Sequence, residues 1–164
     1  MAGRDTLNSI VRRLNWLITM TAADAATVDE MDTGISTQAN FGLLIHKIEG
    51  VIDVAGDPVQ TSDCRADFQL AIGQQTGLVS GGYNSNDLIL QRVVGYEGIA
   101  ASTSSYPHLM SFEWMAPPNL VIVNPTITAI LDTTNMANAC TTTGRIWFSP
   151  IELTELEVLR LLNA

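Results

Sequence analysis

The stretch TITAILDTTNMANACTTTGRIWFS, residues 126–149, alternates apolar and small polar residues with a period of two. Successive side chains of a β-strand point to opposite faces, so this stretch reads as two β-strands joined by a long connection. Its polar positions are mostly Thr, Asn and Ser, and only Asp132 and Arg145 carry charge. A strand facing water usually shows Lys and Glu on its outer face. A neutral, threonine-rich outer face predicts that something covers it.

The same period extends upstream. NFGLLIHKIEGVIDV (40–54) reads as one long strand, with Leu44, His46, Ile48, Ile52 and Val54 on one face and Lys47, Glu49 and Asp53 on the other. ADFQLAIG (66–73) alternates with Ala66, Phe68, Leu70 and Ile72 inward. DLILQRVVGY (87–96) is a further strand, and HLMSFEWM (108–115) alternates through Met110, Phe112 and Trp114. LVIV (120–123) is a short buried strand, and Asn124-Pro125 forces an extended corner because the residue before proline avoids the helical region. Seven or eight strands with Gly-, Ser- and Pro-rich connections predict an all-β sandwich or barrel with Greek-key crossings, of which the jelly roll is the eight-strand version.

Both ends read as helices. At residues 6–19, Leu7, Ile10, Val11, Leu14, Leu17 and Ile18 follow helical spacing behind Asp5 as N-cap. The opposite face gathers Ser9, Arg12, Arg13 and Trp16, an arrangement suited to a protein partner or a lipid interface, or to packing of Trp16 under a loop of its own domain. Residues 21–40 are small, polar and acidic and read as a linker; DEMDTG (29–34) lacks the ligand spacing of a calcium loop. The expected organisation is an N-terminal helix and acidic arm over 1–39 and a β-body over 40–164. At the C-terminus, Thr154 and Glu157 form a capping box, Leu153 and Val158 a hydrophobic staple, and the helix spans roughly 154–162.

The 164 residues bear only 15% charged side chains, a net charge of −9 and a single lysine, Lys47. Apolar content of 46% excludes a disordered chain. Scarcity of Lys and Glu fits either a compact domain with a Thr/Ser/Asn surface or a surface covered by other subunits. The first 20 residues sum to +2 and the rest to −11. An acidic body disfavours phosphate contacts, so direct nucleic-acid binding is not expected. No apolar run reaches the roughly 20 residues of a membrane span, and LNWLITM (14–20) is too short and polar for a signal peptide.

No catalytic constellation emerges. Cys64 and Cys140 lack metal spacing and are expected to be buried thiols, with one long-loop disulfide as the alternative. His46 reads as a satisfied strand residue, and His46 and Glu49 fall on opposite faces of the strand. No enzyme activity, metal or cofactor is expected. SGGYNSN (80–86) suggests the alternative of a carbohydrate- or ligand-binding module acting through Tyr83 and Asn84.

The element order of FEWMAPPNLVIVNPTITAILDTTNMANACTTTGRIWFSPIELTELEVLRLL (112–162) resembles a single jelly-roll major capsid protein of an icosahedral virus. Within that family it looks most like the small capsid proteins of internal-membrane viruses of bacteria and archaea. The resemblance implies a virion location and a structural coat protein that assembles with copies of itself and other capsid proteins through neutral Thr/Asn-rich barrel flanks and the terminal helices. A basic genome-binding arm is missing, so the resemblance implies a shell over a membrane or other proteins, with membrane contact through the N-terminal helix. The residues expected to make assembly contacts are Leu7, Ile10, Arg12, Arg13, Leu14, Trp16, Leu17, Thr154, Leu159 and Leu162.

Overall fold

The computed structural model describes residues 11–20, 25–35, 40–54, 64–80, 85–96, 109–135 and 140–162. Among them lie β1 (Arg12–Thr19), β2 (Thr27–Asp32), β3 (Phe41–Val54), β4 (Cys64–Ile72), β5 (Leu88–Tyr96), β6 (Leu109–Met115), β7 (Val121–Ile122), β8 (Thr126–Thr134), β9 (Cys140–Glu152) and the helix α1 (Glu155–Leu162). One sheet has the order β1-β9-β3-β6, with short β7 added beside β3; the other has the order β2-β8-β4-β5. Every pairing is antiparallel. The chain folds back on itself as one ribbon, β1 beside β9, β2 beside β8, β3 beside β6 and β4 beside β5, and successive pairs fall alternately in the two sheets. Rolling such a ribbon produces a jelly-roll sandwich. The protein is an all-β jelly roll, as the strand pattern predicts.

The N-terminal expectation fails. Residues 12–19 are a strand, not a helix, and pair with β9 from Arg12↔Phe148 to Thr19↔Thr141. Leu14, Trp16, Ile18 and Met20 point inward while Arg13, Asn15, Leu17 and Thr19 point out. The segment satisfies both periods, and a sheet edge open beside β9 selects the strand. Part of the expected linker is likewise strand β2, which pairs with β8. Met31, Thr33 and Ile35 are buried there. The division into an arm over 1–39 and a separate body is therefore wrong, because β1 and β2 each supply an edge of a sheet. The Leu17 amide on the β1 edge donates to the Asp29 carboxylate of β2 at 2.9 Å. This bond ties the two sheets together and occupies a donor that a bare edge would leave open.

One row across the first sheet explains its core. Trp16, Gly144, Gly50 and Phe112 lie side by side on β1, β9, β3 and β6. The two glycines leave the space in which the flanking rings lie. A Cβ on Gly50 would stand 2.7 Å from both Trp16 and Phe112, and one on Gly144 would overlap the Trp16 ring and the Glu49 carbonyl. Phe68 of β4 comes from the opposite sheet to stack on Trp16 with centroids 5.3 Å apart, and meets Phe112 in a tilted contact at 5.5 Å. Each such aromatic pair adds about 0.5–1.5 kcal/mol beyond area burial. The Trp16 indole N–H donates to Thr142 Oγ1 at 3.3 Å, and the Thr142 hydroxyl donates to the Val51 carbonyl at 2.9 Å. Trp16 is thus the centre of the core, which settles its packing against any partner-anchoring role.

The threonine-rich outer face of β8 finds an answer within the chain, whereas Thr141 and Thr143 of β9 lie on an outer face that no described segment covers. β8 and β9 occupy interior positions in opposite sheets. Thr128, Thr133 and Thr142 are buried. Residues 73–80 lie over the outer face of the second sheet: Thr128 Oγ1 donates to the Gly73 carbonyl at 2.6 Å, and the Val79 amide donates to Gln69 Oε1 at 2.8 Å. Ile127 through Leu131 are consequently buried on both faces. Threonine suits such positions because its methyl packs while its hydroxyl finds a backbone acceptor.

In β3 a register irregularity between Ile45 and Lys47 shifts the alternation, so Leu43 and Ile45 point inward before it and Ile48, Ile52 and Val54 after it. Leu44 and His46 therefore do not share the core face with Ile48. A bulge cannot be seen in a period-two pattern. Cys64 and Cys140 are buried and are not joined in a disulfide. Burial, with lesser contributions from Asp53 and Cys64, pushes the Cys140 thiol up to about 11.

Candidate assembly surfaces

The expected contact residues divide into four groups. Leu7 and Ile10 lie outside the described residues. Trp16 is buried in the core and Leu14 is half-buried against it. Arg12, Arg13 and Leu17 are exposed on β1, Leu17 to 67%. Thr154 and Leu159 are exposed on the α1 side; Leu162 ends the helix, and its side chain lies outside the description.

β1 places Leu17 on the outer face of the β1-β9-β3-β6 sheet, and among the described residues no segment lies over this face. Its rows read Arg13, Trp147, Lys47, Met115; then Asn15, Arg145, Glu49, Glu113; then Leu17, Thr143, Val51, Ser111; then Thr19, Thr141, Asp53, Leu109. Leu17, Leu109 and Met115 are among the most exposed large apolar side chains of the described residues, at 67%, 62% and 66%. Leu109 and Met115 were missed in the sequence, although their odd-numbered positions in β6, opposite Met110, Phe112 and Trp114, gave the signal.

A charge network occupies the middle of this face. Lys47 Nζ lies 2.7 Å from Glu49 and 3.1 Å from Glu113, and Arg145 Nε lies 3.4 Å from Glu49. The Lys47 ammonium, donating to Glu49, holds that carboxyl below its ordinary 4.5; the Glu49 and Glu113 carboxylates hold Lys47 above its ordinary 10.5. The signs define a window. The Glu49 contribution is complete above 4.5 and fades as pH falls through its lowered pKa; that of Lys47 is complete below 10.5 and fades as pH rises through its raised pKa. The melting-temperature difference between the parent and Lys47→Met is therefore expected to be level from about pH 5 to 10 and to shrink outside it. A maximum outside that window would contradict the pairing. Next to the network, Asn15, Val51, Ser111 and Thr143 line a wide, open depression of about 690 Å³.

α1 closes the other surface. The Thr154 amide donates to Glu157 Oε2 at 2.9 Å and the Glu157 amide to Thr154 Oγ1 at 3.3 Å, the reciprocal bonds of a capping box. Leu153 and Val158 are buried together with Val123 and Ile151. Thr154→Ala is expected to cost about 1 kcal/mol and to lower the thermal midpoint by about 2–4 °C, read by calorimetry. His46, the one histidine among the described residues, shares a 2.8 Å hydrogen bond with Ser149. His108, Tyr83 and Asn84 lie outside the described residues.

No protein-family model matches the chain, and a comparison with curated protein sequences finds no match. Among solved structures, the chain is similar to one titled Desmodium yellow mottle tymovirus, with 11% sequence identity and a TM-score of 0.40, over 88% of this chain and 90% of that one. No helix among the described residues is long and apolar enough to cross a membrane. The amphipathic helix expected to meet a membrane is instead strand over residues 12–19, where Arg12 and Arg13 flank no exposed tryptophan.

Proposed function

We propose that this protein is a structural coat protein that assembles with copies of itself into a viral shell and is located in the virion. The observation that carries the reading is the asymmetry of the two sheets. One is covered by residues 73–80 of its own chain. The other turns an open face outward that bears Leu17, Leu109 and Met115 around a compact charge network. Large apolar side chains left exposed at the margins of one sheet face favour its coverage by another protein surface. A chain with one lysine and 15% charged residues is poor in the residues that interfaces exclude. Fold alone would not support the reading, since jelly rolls serve many functions.

Assembly proceeds in this reading through the open sheet face and α1. It does not use the threonine flanks of β8, which the chain itself covers. Electron microscopy and sedimentation velocity on the purified full chain at micromolar concentration test it. Closed particles, or oligomers larger than a dimer that vanish in Leu17→Glu/Met115→Glu, are the expected result. A compact monomer at all concentrations, alone and with the other proteins of its source, would sink it.

A further inference from the structure

α1 buries one side only. At about 100° per residue, Val158 faces Leu153 and Ile151, and the opposite side carries Glu155, Leu156, Leu159 and Arg160. All four are exposed, the leucines to 58% and 57%. Around the helix their order is Glu155, Leu159, Leu156, Arg160, so the leucines are central and the opposite charges lie on the two flanks. Along the axis the order is Glu155, Leu156, Leu159, Arg160. The four positions therefore form a cross, with acid and base at the ends of one diagonal and the leucines along the other.

Such a cross is self-complementary. A two-fold axis along the leucine diagonal brings Leu156 to Leu156 and Leu159 to Leu159, and it sets each Glu155 against the Arg160 of the second copy. We infer that α1 pairs with α1 of a second copy about a two-fold axis, the helices crossing steeply, with a leucine centre closed by two Glu155–Arg160 ion pairs. Isologous contacts of this kind need one patch that complements itself. A lipid surface fits poorly, because interfacial helices are rich in Lys and Arg, and α1 carries Glu155 and Glu157 against one Arg160. The patch is smaller than the roughly 800 Å² per partner of a standalone interface, so the pair is weak alone and gains from repetition in an assembly. In that respect it rests on the coat-protein reading.

The test uses full-length chains in sedimentation equilibrium across a wide concentration range. In the Leu17→Glu/Met115→Glu background, which removes the larger oligomers, the parent helix is expected to hold the chain as a dimer. Glu155→Arg and Arg160→Glu each place like charges together twice and are expected to weaken the dimer about tenfold. Their equimolar mixture restores both ion pairs and is expected to recover the parent affinity. Leu159→Glu abolishes the dimer, and its unchanged melting temperature shows that the domain remains folded. Single charge variants that associate like the parent, a mixture without rescue, or a monomeric parent would each overturn the pairing. Particle formation is scored separately by microscopy, in chains that keep Leu17 and Met115. Particles formed equally well by the charge variants remove the helix pairing and leave the coat reading standing; rescue of dimers by a protein that forms no particle does the reverse.

Discussion

Deletion of residues 1–20 is expected to unfold the domain, with loss of the β-sheet circular dichroism signal and of cooperative melting. The deletion removes β1, whose register with β9 runs over eight residue pairs. It also removes three buried side chains, Trp16, Ile18 and Met20. Truncating a buried tryptophan alone costs about 3–5 kcal/mol, a large part of the roughly 5–15 kcal/mol that holds a typical domain. Without Trp16, the Phe68 and Phe112 rings lose their stacking partner, and Gly50 and Gly144 face a void. β9 would become an edge, open to other chains, so aggregation should accompany unfolding. A truncated chain with an intact β signal and sharp melting would show that β1 is dispensable.

Gly144→Ala is expected to be the most damaging single-atom addition among the described residues. The new Cβ would overlap the Trp16 ring and the backbone carbonyl of Glu49. A side chain can turn away, but the carbonyl belongs to the β3–β9 ladder and moves only with the sheet. Overpacking of this kind costs about 1–3 kcal/mol or more, and the backbone contact places this site at the upper end. Chemical denaturation should show the midpoint falling with an unchanged slope. Gly34→Ala, by contrast, meets no atom within 4 Å; its positive φ of 69° supplies a smaller penalty. Equal losses at the two sites would show that the packing at Gly144 is looser than described.

The alternation of β3 to β6, β8 and β9 was written in the sequence because a half-buried strand needs an apolar residue at every second position. The capping box of α1 was equally legible, since its bonds join residues three apart and depend on nothing distant. What the sequence by itself determined is therefore an all-β chain ending in a capped helix with few surface charges. The state of RRLNWLIT was not determined there. Its apolar residues fit a helix stripe and a strand face alike, and the choice came from β9, more than 120 residues away, which offered hydrogen bonds and a glycine seat for Trp16. Period-two reading also could not place the β3 bulge or show that β8 is buried on both faces, because both depend on what lies across the sheet. Of the candidate contact residues, Leu17 was exposed for a reason opposite to the one expected: it lies on the outer face of a strand, not in the buried stripe of a helix. Local bonding and periodicity are carried by neighbouring residues, whereas exposure is decided by whichever distant segments the closed sandwich brings to each face.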